Sequence, residues 1–128
     1  WNKICALPAL WVGLLYDQGA LDAAWDRVKG WSIEDHHRIR AEVPKMGLKT
    51  ALPGGGDFQA LGKQVLDIAH AGLSARDEVN SMGDNETAFL NPLRQIVDSG
   101  LAPAQILLDK FAGEWNGDLS RVYDEFSF

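Results

Sequence analysis

The sequence predicts an all-α fold, an irregular packing of about six or seven short helices. Apolar residues recur at helical spacing in segment after segment, and no stretch alternates apolar with polar residues as a half-buried strand does. The punctuation is helical too: Ser, Asp, Asn and Pro stand where helices would start, and Gly where they would stop. A length of 128 residues suits one module, expected to span 1–128, with a core that needs no disulfide. Apolar content of 46% and charged content of 23% are ordinary for a globular protein, and no internal repeat is visible.

The first element is the run from Ile4 to Tyr16, which carries no charge. It falls short of the roughly twenty apolar residues that cross a bilayer. It also lacks the pattern of a secretory leader, because Lys3 is the only basic residue before it and Tyr16-Asp17 follows. The run reads as a buried helix with Pro8 in or near its first turn, where a missing N–H costs little. The next helix places Leu21, Ala24, Trp25 and Val28 on one face and stops at Gly30. A third begins at Ser32 as N-cap, with Glu34 and Asp35 in its first turn, both favourable at a helix N-terminus. It should end near Val43, since Pro44 disfavours helical geometry in the residue before it.

Residues 45–56 form a loop. Asp57 then caps the longest helix, whose stripe is Phe58, Leu61, Val65, Ile68, Ala69 and Gly72 and which is expected to reach Asn80. After the polar stretch 80–89, Asn91 reads as an N-cap, Pro92 as the first helical residue and Gly100 as the residue past the end. Pro103 and Gly113 bound another helix in the same way. The last helix sets Leu119, Val122, Tyr123 and Phe126 on one side.

With 18 acidic and 12 basic side chains the net charge is −6, which argues against binding nucleic acid or an anionic membrane surface. The glycines at 54–56 precede a helix, yet the phosphate-loop spacing is absent: Gly62-Lys63 is followed by Gln64 and lies within the helix. Asp57 would set a negative charge where a phosphate sits, so a flexible turn and an N-cap account for these letters. His36 and His37 point about 100° apart on a helix and cannot easily share an ion. His36 falls beside Ile39 and Val43, at the edge of the core, and His70 lies on another helix. Asp84, Asn85 and Glu86 lack the alternation of a calcium loop and read as a polar turn. Asn85-Glu86-Thr87 spells a glycosylation acceptor, though nothing else suggests secretion. Cys5 is the only cysteine, so no internal disulfide can form, and its apolar flanks suit a small buried thiol. No nucleophile–base pair and no metal set can be assembled for a stand-alone enzyme.

Taken in order, the strings CALPALWVGLLYD, ALDAAWDRVKGW, VPKMGLKT, GDNETAFLNPL and GEWNGDL…VYDEF resemble the C-terminal region of glutamate–cysteine ligase, of the type shared by plants and many proteobacteria. The resemblance covers essentially the whole chain. It implies an enzyme that joins the γ-carboxylate of glutamate to the amine of cysteine with ATP and Mg²⁺, the first step of glutathione biosynthesis. By that resemblance the catalytic groups lie mainly on an antiparallel sheet encoded upstream. This chain is then the helical C-terminal part of a larger α+β ligase, a buttress for that sheet and not catalytic by itself, in the cytoplasm or, in a plant, the plastid. Its partner is the missing N-terminal catalytic part of the same polypeptide.

Trp1 matches the last residue of the family's Gly-Gly-Pro-Trp stretch, which implies a place on the wall of the substrate pocket and a chain that begins where a substrate-lining segment has been cut away. Cys5 matches a cysteine that, in the plant type, can form a disulfide with an upstream cysteine; that partner is absent from this sequence, and the reading preferred for Cys5 is a reduced, buried thiol. Asn2-Lys3 departs from the family's usual Arg-Arg, which weakens any basic patch there. The tail lacks the usual Pro before its last helix, leaving its packing open. The resemblance assigns no catalytic residue and no metal ligand to this chain. The competing reading is a non-catalytic helical interaction or regulatory module that docks on a partner through its Trp-rich N-terminal surface.

Overall fold

The computed structural model describes residues 2–79, 81 and 83–126. Seven α-helices follow one another: α1 (Asn2–Leu15), α2 (Gln18–Val28), α3 (Ile33–Met46), α4 (Phe58–Arg76), α5 (Asn91–Ser99), α6 (Pro103–Ala112) and α7 (Ser120–Phe126). Short 3₁₀ turns at Gly47–Lys49 and Glu86–Leu90 precede the two loops' return to helix. Among the described residues there is no strand; two isolated bridges, Ala51 with Asp57 and Val79 with Asn85, only pinch loops closed. The all-α expectation holds.

Caps explain most boundaries. Asp17 accepts from the Ala20 N–H at 2.7 Å and starts α2. Ser32 and Asp35 form a reciprocal capping box at α3, and Asp57 accepts from the Ala60 N–H at 2.8 Å at α4. Gly100, with φ +70°, closes α5 in the left-handed conformation that glycine tolerates best.

Five expectations need correction. Pro8 lies in the middle of α1, because the helix begins at Asn2. Its ring deprives the Ile4 carbonyl of its helical donor, but Ile4 is exposed, so the loss is not that of a buried group. Likewise α3 runs through Pro44 to Met46, and the Gly47 N–H bonds the Val43 carbonyl at its end. The restriction on the residue before proline is a preference, and here a single further turn outweighs it. The long helix α4 stops at Arg76, four residues early, where Asp77 turns left-handed (φ 53°); Asn80 lies outside the described residues. Asn91 is already helical, since the Glu86–Leu90 turn runs straight into α5 and leaves Leu90 at the cap. Finally, Leu21 and Trp25 of α2 face outward, and the contact with α4 is made by buried Ala20.

The core is built on α4. Leu66, Ala69 and Leu73 pack with Ala9 and Leu14 of α1, with Leu90 and with Val97 of α5. The expected stripe named Ala69 and Gly72 but not Leu66 or Leu73, while Phe58, Leu61, Val65 and Ile68 are half-buried at its margin. At the centre α1 and α4 touch backbone to backbone. A Cβ on Gly13 would lie 2.3 Å from the Ala69 carbonyl oxygen, and one on Gly72 only 1.9 Å from that of Gly13. Polar ties hold the rim: Gln59 donates to the Val97 carbonyl at 2.6 Å, Arg94 pairs with Asp67 at 2.7 Å, and Arg76 pairs with Glu86 at 3.3 Å while lying over the Tyr16 ring.

Helices α6 and α7 have few contacts with this core. A turn at residues 113–119 joins them, with buried Trp115 inside it and a Lys110–Glu125 ion pair across it.

Candidate functional site

Helix α1 has two unlike faces. Over about 3.6 residues per turn, Ala6, Ala9 and Gly13 fall together, and all three are buried, Ala9 in the core with α4 and Gly13 directly against the Ala69 backbone. Small side chains there let the two helices approach until their backbones touch. The opposite face collects the large apolar side chains: Ile4 is 70% exposed, Leu7 and Trp11 54%, and Leu15 52%. A buried helix was expected, and only half of it is. At the crossing itself only the small residues fit, while Leu14 enters the core beside it.

Cys5 lies between the two faces and is half-buried. It lines a groove of about 180 Å³ with Pro8, Ala9, Val12, Leu73, Glu86 and Phe89. Its surroundings are those of a mostly apolar wall with one carboxylate, which Arg76 already holds. Trp1 lies outside the described residues, and so do the side chains of Asn2, Lys3 and Phe126.

The remaining candidates are dispersed. His36 is exposed and tilts against Trp31, ring centres 5.5 Å apart, rather than resting on the core edge; Trp31 is the nearer apolar surface. His70 sits on α4, where Ser74 reaches its backbone carbonyl at 2.8 Å. Among the described residues no three His, Cys, Asp or Glu side chains stand close enough to share a metal ion. Gly54, Gly55 and Gly56 all have positive φ and wrap a tight loop, held by the Gly55 N–H on the Leu52 carbonyl at 3.2 Å and the Leu52 N–H on the Gly56 carbonyl at 3.1 Å. The loop delivers the chain to Asp57, whose carboxylate occupies the start of α4. Lys63 leans towards Asp98 at 4.0 Å, away from the loop. Asn85 accepts from the Thr87 N–H at 3.0 Å and opens the next turn.

The carboxyls held below their usual range serve local structure as well. Backbone and hydroxyl of Ser32 bond Asp35, and those of Ser120 bond Asp118. Neither is a catalytic acid or base by position.

The model of glutamate-cysteine ligase family 2 (GCS2) matches residues 1–125. The chain belongs to the glutamate–cysteine ligase family. It is 36% identical over 128 residues to "Glutamate--cysteine ligase, chloroplastic" of Solanum lycopersicum, covering all of this chain and 23% of that protein. The protein of the same name from Arabidopsis thaliana is 37% identical, again with 23% covered. "Glutamate--cysteine ligase A, chloroplastic" of Oryza sativa subsp. indica is 34% identical, with 25% covered. The chain therefore spans about a quarter of the length of these relatives.

The outward face of α1, with Trp11 on it, belongs to the Trp-rich N-terminal surface named in the competing reading. Its signal was present in the sequence: Ile4, Leu7, Trp11 and Leu15 recur at three- and four-residue steps, opposite Ala6, Ala9 and Gly13 at three- and four-residue steps of their own.

Proposed function

We propose that these residues are the helical C-terminal part of an ATP-dependent glutamate–cysteine ligase, and that they support its catalytic sheet without carrying the reaction. The family match along the whole chain, to relatives four times as long, carries this reading. In it the complete polypeptide joins the γ-carboxylate of glutamate to the amine of cysteine. ATP activates the carboxylate as an acyl phosphate, Mg²⁺ neutralises the phosphates, and the amine displaces phosphate. Trp1 contributes to the wall of the substrate pocket, and the groove at Cys5 faces an upstream segment with which that thiol forms a disulfide under oxidising conditions. The product feeds glutathione synthesis, in the cytoplasm or, in a plant, in the plastid.

The test is an assay of the full-length polypeptide. ADP release that requires both glutamate and cysteine, with γ-glutamylcysteine identified by mass, is the expected result. Calorimetry on the 128-residue chain should then show no binding of ATP or glutamate. A full-length protein that releases no ADP in the presence of cysteine, or a 128-residue chain that turns over nucleotide, would overturn the reading.

A further inference from the structure

Resting on the ligase reading, we infer that the outer face of α1, formed by Leu7, Trp11 and Leu15 with Ile4, is the seat for an apolar segment of the same polypeptide outside these 128 residues. Each of the four side chains is more than half exposed, and no charge interrupts the chain from Ile4 to Tyr16. Helices that are apolar all round are covered on all sides, whereas this one is covered on one. A contiguous apolar strip of this kind marks a contact surface, with Trp11 at its middle as the natural anchor.

Several observations select the occupant. The chain spans only about a quarter of its relatives' length, so in such a protein some three-quarters of the polypeptide is available to cover the strip. An apolar, uncharged strip has nothing with which to hold an acidic or basic partner. A bilayer fits poorly: α1 has 14 residues, roughly 21 Å at 1.5 Å per residue, and α2 departs from it at 96°. Pro8 adds a polar requirement. Because its nitrogen carries no hydrogen, the Ile4 carbonyl lacks its helical donor, and a protein segment laid over the strip can supply an N–H or O–H that lipid tails cannot. The seat therefore calls for large apolar side chains around one donor.

The experiment measures labelling of Leu7→Cys, in a full-length polypeptide that also carries Cys5→Ser, by a thiol reagent, quantified at the peptide that contains position 7. Leu15→Cys reads the same face if the first variant folds poorly, and Glu34→Cys on exposed α3 serves as the reference. Labelling at position 7 should be at least about tenfold slower than at position 34 in native protein and equal to it in urea, as for a site that reacts only after local opening. Equal rates in the native protein would overturn the inference. So would protection that vanishes on dilution, which indicates a second copy, or protection that appears only with phosphatidylcholine vesicles. Ligase activity is assayed on the same samples. Slow labelling without activity sinks the ligase reading and leaves the seat, and activity with fast labelling does the reverse.

Discussion

Single side chains decide where the helices begin and how the fold responds to acid. Asp57 caps the start of the 19-residue α4, on which the core is assembled. Replacing it with Ala should cost about 0.5–2 kcal/mol, read as a lower midpoint in urea with an unchanged slope. Thr50 is the one fully buried polar side chain among the described residues, and its hydroxyl donates to the Gly47 carbonyl at 2.8 Å. Thr50→Val keeps the shape and removes that bond, and a loss of about 1 kcal/mol is expected in the same measurement. Asp35 supplies the pH dependence. Its carboxyl accepts from Ser32 and titrates below its ordinary value of 3.8, so its contribution is fully present above that pH and fades as pH falls through the lower folded value. Asp35→Asn should therefore flatten the fall in stability below about pH 3.8, followed by circular dichroism, relative to the unmodified chain.

The crossing of α1 and α4 sets the geometry of the whole core. The two glycines at the crossing do different work from the glycines of the loops: they are required by what lies opposite them, with φ values any residue adopts. Gly13→Ala or Gly72→Ala would drive a methyl group into a backbone carbonyl, which cannot swing aside. Each should cost about 1–3 kcal/mol or more, since the helices must separate to admit it. Gly30→Ala, with open space around the added carbon, should change the urea midpoint little or stabilise slightly. Equal effects at positions 13 and 30 would show that the helices do not meet as described. The same crossing explains the outer face of α1: Ala9, Gly13 and Leu14 lie on the side that meets the core, and Ile4, Leu7, Trp11 and Leu15 are left on the far side.

At the scale of the molecule, the interior is modest and the apolar surface extensive. Beyond α1, Trp25, Leu108, Leu119 and Tyr123 are also more than half exposed, and α6 and α7 stand largely clear of the core. A 128-residue chain prepared alone should self-associate as its concentration rises in sedimentation experiments, and Trp11→Lys should reduce that tendency. A chain that remains a monodisperse monomer at high concentration would show that the strip needs no cover.

The sequence by itself determined the helical class, the caps at Ser32 and Asp57, the stops at Gly100 and Gly113, and the family, because these rest on local hydrogen bonding and on ordered residue strings. It could not place Pro8 and Pro44 within their helices, since the local preference of proline is a small energy that a continuing helix offsets. It named Ala69 and Gly72 for the core but passed over Leu66 and Leu73. It grouped Leu21 and Trp25 with Ala24 and Val28 on one face, but periodicity marks an apolar face without saying which edge of it another helix will meet. That choice belonged to the tertiary structure. Only when α1 and α4 close until Gly13 and Gly72 touch does side-chain size, rather than polarity, decide what is buried and what is left outward for another part of the protein.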